Sequence, residues 1–251
     1  MGGIHGGRLR RARAEARLKQ ARFLKRSLAA LGVAAGLLFG GGTSPAAPAA
    51  GLSDPRASIL DIEWRTPTGY ERCAAVVTAR RPNGLEAKTA GHCANAPFSV
   101  GRFLDGYTIY GSAIHVIRHS GTSDSATLLV AVDAAHARRT PPAVPALRPP
   151  ALGTAVTIVG HPVSALRAPN EGRWTVTYGR MGETVTNSET GGVEYEVSCS
   201  RCGPGDSGSG VFDGEGRLVG LVYGVTEIES AAGGRLPDGL YANVIPVAAL
   251  R

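Results

Sequence analysis

The sequence predicts an all-β protein, an antiparallel barrel or sandwich. Seven short segments are rich in Val, Ile, Thr and aromatic residues: 74–79, 107–118, 127–132, 155–159, 174–178, 193–199 and 218–225. Clusters of Gly, Pro, Asn and Asp separate them. No long stretch repeats its apolar residues every 3.6 positions, apart from a short helix expected at 246–251. With 251 residues, 43% of them hydrophobic and 19% charged, the chain can bury a sizeable core and is not a disordered polymer. Its 35 glycines have no period of three, which excludes a collagen, and scattered Gly and Pro disfavour a coiled coil.

The first fifty residues are of another kind. They hold nine of the 27 Lys/Arg and one of the 20 acids, so the formal charge of +7 sits there. The remainder has 18 basic and 19 acidic residues, a net of −1. The cationic stretch runs into an uncharged apolar segment, 27–39, and then into Ala47-Pro48-Ala49, which has the small-x-small form of a cleavage site. This is the pattern of a secretory signal peptide. At 13 residues the apolar run falls short of the ~20 needed to anchor a helix in a bilayer. Gln20 and Ala21 stand where a twin-arginine signal would carry its arginines, so the general export route is expected. The predicted product is secreted and extracellular, monomeric, and without stable membrane association. With the basic segment removed, a nucleic-acid partner is not expected.

The remaining chain divides into two β units, 51–136 and 151–251. Between them, 137–150 carries five prolines. Proline donates no ladder hydrogen bond, so this stretch reads as a stiff linker.

The four cysteines of an exported chain suggest disulfides, and three connectivities are open. Cys73 and Cys93 flank a hairpin turning at Pro82-Asn83-Gly84, which could bring them together; Cys199 and Cys202 would then pair. A Cys-x-x-Cys also raises zinc or redox chemistry. Zinc needs about four ligands, and no second such pair is nearby. A redox pair would open a helix, whereas Gly203-Pro204-Gly205 follows here. No metal and no cofactor are expected.

Three segments carry chemistry: Thr89-Ala90-Gly91-His92-Cys93, Ser123-Asp124-Ser125-Ala126-Thr127-Leu128-Leu129 and Gly203-Pro204-Gly205-Asp206-Ser207-Gly208-Ser209-Gly210. A serine hydroxyl is a weak nucleophile until a base takes its proton. Histidine titrates near neutrality and can do so. A carboxylate fixes the imidazole tautomer and stabilises the imidazolium. Glycines beside the serine let backbone N–H groups approach a developing oxyanion. Taken singly, Gly-Asp-Ser-Gly is an ordinary turn, and His115, His119, His136 and His161 are read as structural or surface residues. Asp105 and Asp133 are weaker carboxylate candidates than Asp124.

Together the segments resemble the chymotrypsin-like (trypsin-like) serine protease family in its small secreted bacterial form, over roughly residues 57–250. The order His, Asp, Ser is that family's, and spacings of 32 and 83 residues suit compact members. The resemblance implies two six-stranded antiparallel β-barrels with the active site in the cleft between them and a short C-terminal helix. It implies a serine endopeptidase acting on proteins or peptides through an acyl-enzyme. His92 would be the general base, Asp124 the orienting carboxylate and Ser207 the nucleophile, with an oxyanion hole from the N–H groups of Gly205 and Ser207. The runner-up is a catalytically inactive binding protein on the same fold.

The resemblance also places Tyr223-Gly224-Val225 on the substrate strand, where the family commonly has Ser-Trp-Gly, and Gly239-Leu240-Tyr241 on the far pocket wall. Val225 would narrow that pocket. Arg201, six residues before Ser207, falls either at the pocket base, where trypsin-type enzymes carry Asp, or on a surface loop between the two cysteines. No Ile or Val followed by Gly-Gly occurs after residue 50, so Asp206 is expected to find another partner or to stay solvated. Activity is expected without removal of a long propeptide.

Overall fold

The structure, a computed structural model, describes residues 54–120, 123–160, 175–187, 191–199, 201–228 and 239–250. The expected export signal at 1–50 and His161 lie outside the described residues.

The fold is all-β with the chymotrypsin-like two-barrel architecture. The N-terminal half contributes β1 (Ile59–Thr66), β2 (Gly69–Arg81), β3 (Gly84–Ala90), β4 (Val100–Phe103), β5 (Thr108–Tyr110), β6 (Ile114–His119) and β7 (Ser125–Val130). They form an antiparallel sheet in the order β5-β4-β1-β2-β3-β7-β6, rolled as an open half-barrel. The C-terminal half contributes β8 (Ala155–Gly160), β9 (Thr175–Thr186), β10 (Val193–Cys199), β11 (Gly210–Phe212), β12 (Leu218–Ile228) and β13 (Gly239–Pro246), a closed six-stranded barrel in the order β10-β13-β12-β11-β8-β9. A 3-10 turn, Val247–Leu250, stands where the short terminal helix is expected.

The single strand expected at 107–118 is two. The chain turns a corner at Gly111–Ala113, where the Gly111 N–H bonds the Ser99 carbonyl at 2.9 Å. A short helix, α1 (Ala134–Arg139), occupies the start of the expected linker. Asp133 caps it, accepting the His136 N–H at 2.7 Å. The proline-rich stretch beyond is stitched down through its non-proline backbone groups. Ala143 N–H bonds Val77, Ala146 N–H bonds Leu218, and Leu218 N–H bonds Val144.

Burial explains why the halves hold together. One cluster fills the N-terminal sheet around Leu60, Ile62, Val77, Leu85 and Leu128. A second fills the barrel around Ile158, Val197, Val222 and Val244. A third takes residues from both: Ile59, Ala74 and Val76 from the first half, Val159, Phe212, Leu221 and Ile245 from the second. Burying such side chains contributes about 1.5–3 kcal/mol each, so the third cluster fixes the strands around the site.

Candidate active site

β3 runs straight into the 3-10 turn Gly91–Ala94, which carries His92, and Asp124 directly precedes β7. Because β3 and β7 pair in register, Ala90 opposite Ser125, the two side chains are delivered to the same end of the sheet. Asp124 grips the turn in three ways. Its carbonyl accepts the Gly91 N–H at 2.8 Å, Oδ1 accepts the His92 N–H at 2.8 Å, and Oδ2 lies 2.5 Å from His92 Nδ1. Burial would raise the Asp124 carboxyl. The hydrogen bond and charge of His92, with the backbone N–H groups of His92 and Gly91, outweigh it and hold the carboxyl below its usual value. Gly91 was not singled out from the sequence, yet it has a job. A Cβ there would lie 2.6 Å from Asp124 Oδ1.

The competing carboxylates are used elsewhere. Asp133 caps α1 and accepts the Tyr107 hydroxyl at 2.9 Å. Asp105 lies 3.5 Å from His136 Nδ1. His136 is buried and stacks on Tyr107 with ring centroids 3.8 Å apart, a packing role.

Ser207 comes from the other half, on the turn before β11, and main-chain bonds seat it against the N-terminal sheet. The Ser207 carbonyl accepts the Ala74 N–H at 2.8 Å, and the Gly208 N–H reaches the Val222 carbonyl at 2.6 Å. Gly208 has φ +80, and a Cβ there would stand 1.8 Å from the Ala74 carbonyl oxygen, so only glycine fits. Ser207 Oγ donates to the Tyr223 carbonyl at 3.5 Å rather than to His92. Among the described residues, the N–H groups of Gly205 and Ser207 donate to no acceptor.

Beneath the turn lies Asp206, 3% exposed. Of the two expectations for Asp206, a new partner or solvation, the structure shows the first, and the partner is a backbone N–H. Oδ2 accepts the Gly203 N–H at 2.9 Å, and no cation pairs with the carboxyl among the described residues. Burial pushes its carboxyl up from 3.8 to about 7, against the smaller pull of the Gly203 N–H. Ser209 Oγ beside it is buried and has no hydrogen-bond partner among the described residues.

The cysteines pair Cys73–Cys93, with Cα atoms 6.2 Å apart, and Cys199–Cys202, with Cα atoms 5.8 Å apart. Arg201 lies exposed on the loop that the second disulfide closes. Val225 is half-buried on the barrel core and pairs with Ala242, while Gly239 opens β13 opposite Ile228. At Tyr223, two residues that carry no local sequence signal complete a polar cluster. Tyr223 OH donates to Glu194, and Asn187 Nδ2 donates to Glu194 Oε1 at 2.6 Å. Burial and the Glu194 hydrogen bond push the Tyr223 phenol well above its usual value.

The trypsin-like peptidase domain matches residues 73–221 of this sequence, and the chain belongs to that family. It is a serine-type peptidase. No curated protein matches it. Several solved proteases share its fold. The Rv3671c protease from M. tuberculosis, in its active form, is 19% identical with a TM-score of 0.56, over 78% of this chain and 78% of that one. The HtrA-type protease AlgW with a tripeptide is 20% identical, TM-score 0.55, over 78% of this chain and 58% of its own. The serine endoprotease from Yersinia pestis is 18% identical, TM-score 0.54, over 78% and 64%.

Proposed function

We propose that the protein is a secreted serine endopeptidase in which Ser207 is the nucleophile, His92 the general base and Asp124 the carboxylate that orients it. The observation that carries this reading is the three-point grip of Asp124 on the His92 turn, with the Ser207 turn seated on Ala74 of the adjoining strand.

With Nδ1 held by Asp124, His92 Nε2 takes the Ser207 Oγ proton as Oγ attacks a peptide carbonyl carbon. This requires Ser207 Oγ to swing from the Tyr223 carbonyl toward His92. The carbonyl oxygen becomes an oxyanion and receives the N–H groups of Gly205 and Ser207, an arrangement worth ~10²–10³ in turnover per donor. The imidazolium gives its proton to the leaving amine, and an acyl-enzyme on Ser207 remains. Water then attacks with the same proton relay and releases the acid. Residues 1–50 serve as the export signal, and the mature enzyme is an extracellular monomer acting on proteins or peptides without a cofactor.

The resting contact of Ser207 Oγ with the Tyr223 carbonyl favours a second reading, a folded binding protein that performs no hydrolysis. A fluorophosphonate probe separates the two. The protein should be labelled on Ser207, and labelling should vanish in Ser207→Ala and in His92→Ala. Persistent labelling of Ser207→Ala, or a folded parent that never labels, rejects the enzyme reading.

A further inference from the structure

The N-terminal sheet stays open, and β6 forms one of its edges. Among the described residues it has a strand neighbour on one side only, β7. Five of its six residues, His115–His119, are exposed, with Val116 at 37% and Ile117 at 54%. Against β6 lies a groove of about 390 Å³, within the usual size of ligand sites, about 300–1,000 Å³. It is lined by residues 94–98, which continue from the turn that carries His92, and by Gly111, Ser112, Ile114 and Val116. Asn95 and Ser112 are its only polar side chains, and no charged group lines it.

The strand register connects this groove with the site. Residues paired across strands share a face of the sheet. Val116 pairs with Leu128 and His119 with Ala126, and both partners belong to the buried cluster of this half. The pairing is irregular between Val116 and Arg118, where Ile117 is an extra residue, so His119 comes onto the same face as Val116. His115 and Arg118, paired with Leu129 and Thr127, take the other face. Ala126 also pairs with Thr89, and Asp124 lies two residues before it. A line along the inner face therefore leads from the catalytic end past His119 to Val116. Leu128, opposite Val116, is four residues from Asp124 in the chain, roughly 13 Å at about 3.3 Å per strand residue. An extended chain held at Ser207 and His92 covers that distance in about four residues.

We propose that this groove is a substrate subsite that takes a large apolar side chain, aromatic or branched, about three to five residues from the bond being cut. The proposal rests on the assignment of the triad. A polypeptide is the occupant because the enzyme is a peptidase and the groove begins two residues after His92. The lining selects the side chain. An apolar group loses nothing by leaving water and covers apolar wall, whereas a Lys or Glu would find no charged partner there. The segment is held extended, because the free edge of β6 presents backbone N–H and carbonyl groups to a neighbouring strand.

The test is cleavage of a library of unstructured peptides, long enough to span the cut and the groove, by the full chain, with products read by mass spectrometry. Phe, Leu, Ile and Met should be enriched at least about tenfold over Ala, Lys and Glu at one position about three to five residues from the cut. Val116→Asp puts a charge into the groove at a position already 37% exposed, and should abolish that enrichment. His115→Asp, on the other face, should keep it. No enrichment at those positions, enrichment that survives Val116→Asp, or enrichment lost equally in His115→Asp overturns the proposal. If Val116→Asp does not fold, Ala96→Trp, which fills the groove from the loop, takes its place with the same expected loss. A second measurement needs no turnover. In Ser207→Ala, a Gly-Ser peptide carrying a single Phe should shift the methyl NMR signals of Ile114 and Val116 saturably, and the same peptide with Ala in place of Phe should not. These shifts in a chain that the fluorophosphonate never labels before the Ser207 change reject the peptidase reading alone. Absence of the shifts overturns the groove proposal even where labelling succeeds.

Discussion

Replacing Asp206 by asparagine should stabilise the protein, and more so as pH rises. The carboxyl is 3% exposed, accepts one backbone N–H and has no paired cation among the described residues. Burial pushes it up from 3.8 to about 7. That is about three powers of ten in proton affinity, or about 4 kcal/mol at roughly 1.4 kcal/mol each. The unfolded chain gives up this proton near 3.8, while the folded chain keeps it until about 7. Between those values the folded state binds more protons, so stability falls as pH rises. The stabilising contribution is complete below pH 3.8 and gone above about 7. A side-chain amide is neutral throughout and keeps an oxygen for the Gly203 N–H. Its NH₂ group also offers a donor to Ser209 Oγ, which has no partner among the described residues. Guanidinium denaturation, with Ser207→Ala in both proteins to prevent self-digestion, measures the difference. It should be small near pH 4 and grow to about 4 kcal/mol in favour of Asp206→Asn near pH 8. A difference that stays constant, or a parent that gains on the variant with rising pH, would mean that the carboxylate has a cationic partner and that its burial is not uncompensated.

Four other substitutions probe the site. Asp124→Asn should fold normally but lower kcat by about 10⁴-fold, because the imidazole loses the partner that sets its tautomer; peptide hydrolysis measured alongside Tm checks this. Gly91→Ala should cut kcat/KM while preserving β-rich circular dichroism, since its methyl would displace the Asp124 carboxylate from His92. Gly208→Ala should cost at least about 2 kcal/mol, from left-handed strain and collision with the Ala74 carbonyl, and should abolish probe labelling. Tyr223→Phe removes one donor from buried Glu194 and should cost about 1–3 kcal/mol in denaturant, with little change in kcat.

The strands rich in branched residues, β8, β10 and the body of β12, were legible because both faces or one whole face are apolar. β1 was not, although all of Ile59–Trp64 is buried. Its apolar run is broken by Asp61 and Glu63, which Arg72 and Arg102 neutralise from neighbouring strands. Such pairing depends on register, which composition does not reveal. Of the site, His92, Asp124 and Ser207 stood out because each sits in a short stretch with its own chemistry. Tyr223 is legible as part of the substrate strand, but its link to Glu194 and Asn187 carries no local signal, since residues 29 and 36 positions apart meet only after the barrel closes. Arg201 was placed at a pocket base by counting back from Ser207. In the structure Arg201 is exposed on the loop between Cys199 and Cys202, a placement that depends on the disulfide and not on the distance to Ser207 in the chain.

The seat of Ser207 on the first half has a further consequence. Ala74 N–H to the Ser207 carbonyl, Gly208 N–H to the Val222 carbonyl and Val222 N–H to the Ser209 carbonyl are all main-chain bonds. Every residue except proline supplies these atoms, so the junction that seats Ser207 is indifferent to most side-chain changes. Mutation can rework the side chains around it while the placement of Ser207 stays put. A tight tolerance is Gly208, whose missing Cβ lets the Ser207 turn approach the Ala74 carbonyl.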